Sequence, residues 1–283
     1  MTIHLLAQVE SAPDMTVTAT VHNAATAAAA IVLLGVVVYA IRAARRHHSL
    51  VPLACLLGGA LTVGYEPLVD VLGMCRLPAN YQWTLFTVLD RPMPVYAILV
   101  YCAFFGGFAI VSWNHLKSGG SAQGLWRKYV IAILINTFLF ETPAVSIFSV
   151  YTYYGKQPLD FWGFPLWWPF VNTAGPLIAG AIIYVLASRF NVAPRMLLGL
   201  AVIAVPMMNG AVNGAAAYPT WLALNSDVPT WLAWIAGAVT IGLAILIMRG
   251  AIGVVSGLDQ REKISAGSEF PATQHRSGLQ AER

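Results

Sequence analysis

Seven runs of this 283-residue chain stay apolar for about the 20 residues that a helix needs to cross the hydrocarbon core of a bilayer, and that repetition restricts the fold more than any other feature. They cover Thr16 to Ile41, Leu50 to Val71, Met93 to Trp113, Tyr129 to Val150, Leu166 to Ala187, Met196 to Ala217 and Val228 to Met248. The runs are continuous rather than alternating, which excludes a closed β-barrel and leaves helices, whose backbone groups pair within each segment. Only 10% of residues are charged, against roughly 25% in a soluble domain, so little surface is made for water. The expected fold is an all-α, polytopic membrane helical bundle over residues 1–257. Residues 258–283, rich in Ser, Gly, Gln and charge, read as a disordered cytoplasmic tail.

Basic residues set the expected orientation. With the N-terminus outside, the outer segments hold only Arg76, Arg91 and Lys156, and the other 13 of the 16 Lys and Arg residues face the cytoplasm, as the positive-inside rule requires. The C-terminus is then cytoplasmic, and the expected location is the plasma membrane. Trp162, Trp167, Trp168, Trp221 and Trp231 fall near the outer interface, where tryptophan forms belts. The first run follows a head without Lys or Arg and is longer than a signal-peptide core, so it reads as a retained helix. Cys55, Cys75 and Cys102 lie on different segments and form no disulfide or metal pattern.

Within this apolar frame, Glu66, Asp70 and Glu141 stand out. A charged side chain in hydrocarbon costs about 2.5 to 3.5 kcal/mol or more, so a chain that keeps one usually uses it. Glu66 and Asp70 stand at i and i+4 on one helix face, where two ionised carboxylates repel. They are suited to proton transfer, or alternatively to structural ion pairs with Arg76 and Arg91. Glu141, in FLFETPAV beside Thr142 and Pro143, is placed for general acid work or proton relay. The structural alternative has it accept hydrogen bonds from Asn172 or Asn213.

At about 1.5 Å per residue, Glu66, Glu141, Asn172, Asn209 and Asn213 lie within about 5 to 14 Å of the outer ends of their helices. Asn209 and Asn213, again at i and i+4 and each followed by glycine, offer either substrate-orienting amides or a face where another backbone packs closely. The stretch YTYYGKQPLDFWGFPLWWPFVN, residues 151–172, carries Tyr154, Asp160 and Trp168. It is either an interfacial belt or a lid over a cavity between helices.

Several classes are excluded. A retinal photoreceptor needs a lysine in its seventh span, and Val228 to Met248 has none. The histidines are scattered, and no Gly-rich phosphate loop, nucleophile elbow or aspartate-rich metal motif occurs. The expectation is a site without metal or cofactor, open toward the outer leaflet, in which a carboxylic acid and a carboxylate act on a lipophilic small molecule. Nucleic acid is not an expected partner, and the oligomeric state is not legible.

Around EPLVD, FETP and YTYYGKQPLDFWGFPLWWPFVN the chain resembles the AveC-like spirocyclase family of actinobacterial multi-pass membrane proteins, over most of the hydrophobic body. The resemblance implies a cyclase that closes polyketides into spiroketals, or a cyclase/dehydratase, in polyketide biosynthesis. It carries over no residue roles. From the residues themselves the catalytic candidates are Glu141 as general acid with Glu66 and Asp70 as base or cation stabiliser, and the substrate-binding candidates are Asn172, Asn209, Asn213, Tyr154, Trp168 and Asp160.

The competing readings are a proton-coupled or small-molecule transporter, in which Pro206 and the Asn-Gly pairs break the sixth helix, and a non-catalytic scaffold.

Overall fold

A computed structural model describes residues 11–80, 83–190 and 192–268. Seven helices in it are long and apolar enough to cross a membrane, and the fold is all-α apart from short strand pairs. They are α1 (Ala19–His47), α2 (Val51–Leu72), α3 (Val95–Lys117), α4 (Gly124–Ile147), α5 (Trp168–Arg189), α6 (Pro194–Leu224) and α7 (Thr230–Ser268). α1 shows how local chemistry sets the ends. The Thr18 hydroxyl caps it by accepting from the Val21 N–H at 3.3 Å, Arg45, Arg46 and His47 complement the negative end of its dipole, and His48 closes it in the left-handed region.

Most helices overrun the apolar stretches expected for them. α1 continues six residues past Ile41, α3 reaches Lys117 and α4 begins at Gly124, because a helix need not stop where hydropathy does. The sixth helix runs through Pro206 and on past Ala217 to Leu224, since Pro219 sits in the first turn of the segment Tyr218–Leu224, where its missing N–H costs nothing. The expected break at Pro206 is therefore absent. α7 extends to Ser268, so residues 258–268, assigned to the tail from sequence, are helical. The remainder, 269–283, lies outside the described residues.

Consecutive helices alternate in direction. One end of the bundle carries all the described strands: β1 (Cys75–Arg76), β2 (Thr84–Val88), β3 (Arg91–Pro94), β4 (Thr152–Tyr153), β5 (Asp160–Phe161) and β6 (Phe164–Pro165). Pairings are antiparallel, β1 with β4, β2 with β3 and β5 with β6. Leu89 and Asp90 (φ 52° and 54°) turn one hairpin in a left-handed geometry that matches strand twist. Long-range bonds tie this hairpin end together: Asn80 Nδ2 donates to the Val17 carbonyl at 2.7 Å, Gln157 Nε2 to Gly73 at 2.9 Å and Asn225 Nδ2 to Leu72 at 2.8 Å. At the opposite, basic end a His47–Asn114 hydrogen bond of 2.8 Å joins α1 to α3.

α5 is the central post, packed on α3, α4, α6 and α7. Close approach is made by glycines that the sequence pattern did not single out. A Cβ on Gly59 would stand 2.5 Å from the Gly106 nitrogen, and one on Gly180 would stand 2.1 Å from the Ala109 carbonyl oxygen. Gly210 and Gly214, expected to serve that purpose, meet only the edge of the Tyr65 ring and nothing within 4 Å, respectively. The tryptophan belt also divides: Trp162 and Trp231 are exposed, whereas Trp167, Trp168 and Trp221 are buried, the first two stacked with centroids 4.1 Å apart.

Candidate functional site

The hairpin-end half of the bundle encloses a cavity of about 630 Å³. It is walled by α1 to α5 and closed at its end by β1 and by Tyr151 and Tyr153 around β4. Glu66, Asp70 and Glu141 all line it. Irregular helix geometry places them there. α2 tightens to a 3₁₀ turn at Thr62–Tyr65 and resumes at Glu66 with Pro67 in its first turn, so Glu66 and Asp70 share a face. α4 widens to π geometry over Asn136–Glu141 and again over Pro143–Ile147, and α3 does so over Cys102–Gly106. In a π turn residue i bonds to i+5, so Asn136 and Glu141 lie one turn apart on the same side, which α spacing would not allow.

Glu141 sits in a tyrosine cradle. Its Oε2 accepts from the Tyr151 hydroxyl at 2.5 Å and from the Tyr153 hydroxyl at 3.3 Å. Burial, and then the Glu141 carboxylate, push both phenols well above the usual tyrosine value, so they stay protonated as donors. The Tyr101 hydroxyl stands next to Glu66 and the Cys75 thiol next to Asp70. Burial, and then the Asp70 and Glu66 carboxylates, push the Cys75 thiol up in the same way, which suits a hydrogen-bond donor and not a nucleophile. Asp70 is 3% exposed and its Oδ2 has no hydrogen-bond partner.

The ion pairs that offered a structural role for Glu66 and Asp70 do not form. Arg76 instead holds the Asp90 carboxylate at 3.2 Å and its carbonyl at 2.5 Å, and Arg91 donates to the Tyr154 hydroxyl at 2.9 Å. Among the described residues no Lys, Arg or His lies within 4 Å of any of the three carboxylates. Three acidic groups thus share an apolar chamber without a salt-bridge partner among the described residues, and the charge of Arg91 reaches Asp70 only from beyond that distance.

The remaining candidates separate. Asn172 and Trp168 line the cavity. Tyr154 does not, because alternation along β4 turns Tyr151 and Tyr153 inward and Tyr154 toward Arg91. Asp160 is exposed and caps a turn by accepting from the Gly163 N–H at 3.1 Å. Asn209 donates to the Tyr65 hydroxyl, and Asn213 donates to the Asn209 carbonyl at 2.9 Å. With Gly175 packed against the Asn209 backbone, this pair braces α6 behind Glu66 and does not reach the cavity.

An interhelical hydrogen bond of this kind contributes about 0.6 to 2 kcal/mol. Asn209→Ala and Tyr65→Phe are each expected to lower the thermal midpoint of the solubilised protein, and the double variant to lose less than the sum. Additive losses would show that the two side chains do not act on each other.

Sequence reasoning missed Tyr101, Asn136, Cys75, Tyr151 and Tyr153. The alternation in YTYY pointed to the last two once a strand is assumed. Asn136 carried the same signal as the other amides, a polar group inside an apolar run, but its five-residue distance from Glu141 suits only a π turn.

Compared with known proteins, the chain matches no family model, no curated protein and no solved structure.

Proposed function

We propose that the protein is a multi-pass plasma-membrane enzyme, hairpin end and N-terminus outside and C-terminus in the cytoplasm, that closes a ring in a lipophilic polyketide or terpenoid-like substrate by acid/base catalysis. Spiroketal formation or a related cyclodehydration is the chemistry it suits best. The observation that carries this reading is the convergence of Glu66, Asp70 and Glu141 on one largely apolar cavity, with tyrosine donors and with no Lys, Arg or His in its described lining.

The step needs no redox partner. Glu141 gives its proton to the hydroxyl of a hemiketal, the C–O bond breaks and water leaves, and the resulting oxocarbenium ion is held beside the carboxylates of Glu66 and Asp70. A second hydroxyl of the substrate attacks that carbon, a new C–O bond forms, and the proton of the attacking oxygen passes to Asp70 or Glu66 and from there back to Glu141, which restores the starting state. The net change is loss of one water. Tyr151 and Tyr153 orient Glu141, and the apolar walls keep bulk water from competing.

A carrier has less support, because the lining of the cavity ends midway along the helices at Val32, Phe105 and Asn136.

The test is to incubate the protein, reconstituted in lipid, with hydroxy-ketone lipid extracts and to follow them by mass spectrometry. A component that is replaced by one lighter by water, or by a cyclic isomer, supports the proposal. No change in any component, with the protein folded, overturns it.

A further inference from the structure

α1 is the least embedded of the seven helices: 11% of its apolar window is buried, against 61% for α5. It packs on α2 and α3 and leaves a gap beside α4. Ala24, Ala28 and Val32, spaced i, i+4 and i+8, present one exposed face of α1 to that gap. Across it stand Leu139, 70% exposed, and Phe148, 55% exposed. All five also line the cavity, so the chamber that holds the carboxylates opens sideways, between two apolar helix faces.

The cavity side of α4 carries a second, independent feature. Asn136 is 1% exposed, lines the cavity, and neither its Nδ2 nor its Oδ1 has a hydrogen-bond partner among the described residues. A buried amide left unpaired is costly, and such a group facing a cavity is explained by a ligand that completes it. Charge narrows the ligand further. The described lining contains three acidic side chains and no Lys, Arg or His, so a phosphate, sulfate or carboxylate group would find no basic side chain in the lining to hold it. A volume of about 630 Å³ lies within the roughly 300 to 1,000 Å³ of small-molecule sites.

We infer that the cavity takes a single-tailed amphiphile without an anionic group that arrives sideways through the gap between α1 and α4, seats a neutral oxygen on Asn136 and leaves its tail between Ala28 and Leu139. This rests on the reading of the cavity as the substrate site. Asn136 anchors the ligand one π turn from Glu141, so the reacting carbon lies about one helical turn from the anchored oxygen. Asn136 is a positioning residue that selects for oxygenated molecules.

The experiment uses the full chain in lipid nanodiscs and three tail-brominated probes of equal chain length: a methyl ketone, a fatty acid and an alkyl phosphate. Binding is read by quenching of tryptophan, Trp168 being in the cavity wall. The ketone is expected to bind at least tenfold more tightly than either anion at neutral pH. Asn136→Leu is expected to weaken ketone binding about tenfold while the thermal midpoint holds or rises, because an unpaired amide has been removed. Asn136→Ser, smaller and still polar, is expected to lose less. Ala28→Trp is expected to slow association about tenfold with the midpoint unchanged.

Equal binding of the anions, unchanged ketone affinity in Asn136→Leu, or unchanged association in Ala28→Trp each overturns the inference. Because the readout is binding, it separates from catalysis. Ketone preference without turnover of any lipid overturns the enzyme and leaves this inference standing, whereas turnover without the preference does the reverse.

Discussion

Glu141→Gln is expected to lower turnover by about 10²- to 10⁴-fold, the usual contribution of a positioned general acid, without loss of fold. The substitution keeps the size of the side chain and an oxygen that accepts from Tyr151 and Tyr153, the two hydroxyls that hold Glu141 at 2.5 and 3.3 Å. It removes only the ability to give up a proton. The measurement pairs the rate of product formation with the thermal midpoint of the reconstituted protein. Tyr151→Phe, which frees one side of the carboxyl without removing it, should reduce the rate less. A Glu141→Gln protein that turns over at the wild-type rate would remove the central element of the proposed mechanism.

Gly180→Val should be the most damaging single change to the bundle. The α3–α5 contact brings the Ala109 carbonyl oxygen to 2.1 Å from where a Cβ would lie and the Ser112 Cβ to 2.9 Å, and the obstructing atoms are largely backbone, which cannot rotate away. Overfilling a packed interface costs about 1 to 3 kcal/mol where side chains can yield, and this site belongs at or above the top of that range. At about 2 to 4 °C per kcal/mol for a chain of this size, the thermal midpoint should fall by roughly 10 °C. Gly214→Ala, with nothing within 4 Å, should leave stability unchanged or slightly raised, as alanine replaces glycine in helical geometry. Equal effects at Gly180 and Gly214 would contradict the packing described.

Glu66, Asp70 and Glu141 were visible in the sequence because a carboxylate in an apolar run is costly wherever it sits, so its presence needs no knowledge of neighbours to be informative. Their meeting in one cavity was expected from their shared place in the outer halves of the spans, but the geometry that brings it about was not visible, since it depends on a 3₁₀ turn before Glu66 and a π turn ending at Glu141. Nor were the roles of amides that look alike. Asn136, Asn172, Asn209 and Asn213 all lie inside apolar runs, yet the first two line the cavity and the last two brace α6. The difference comes from which helix each faces, and hydropathy carries no such information. Tyr154 and Asp160 follow the same rule at the hairpin end, where strand alternation and a tight turn decide which side chains turn inward.

What the sequence by itself determined is the element: seven long apolar runs became seven helices long and apolar enough to cross a membrane. What only the tertiary structure decided is partnership. Close approach was set by Gly59, Gly106 and Gly180 rather than by the Asn-Gly pairs, and the arginines went to Asp90 and Tyr154 rather than to the buried acids. Apolar character is a property of a segment and can be read along it. Contact is a property of two segments, and it exists only once the helices have packed.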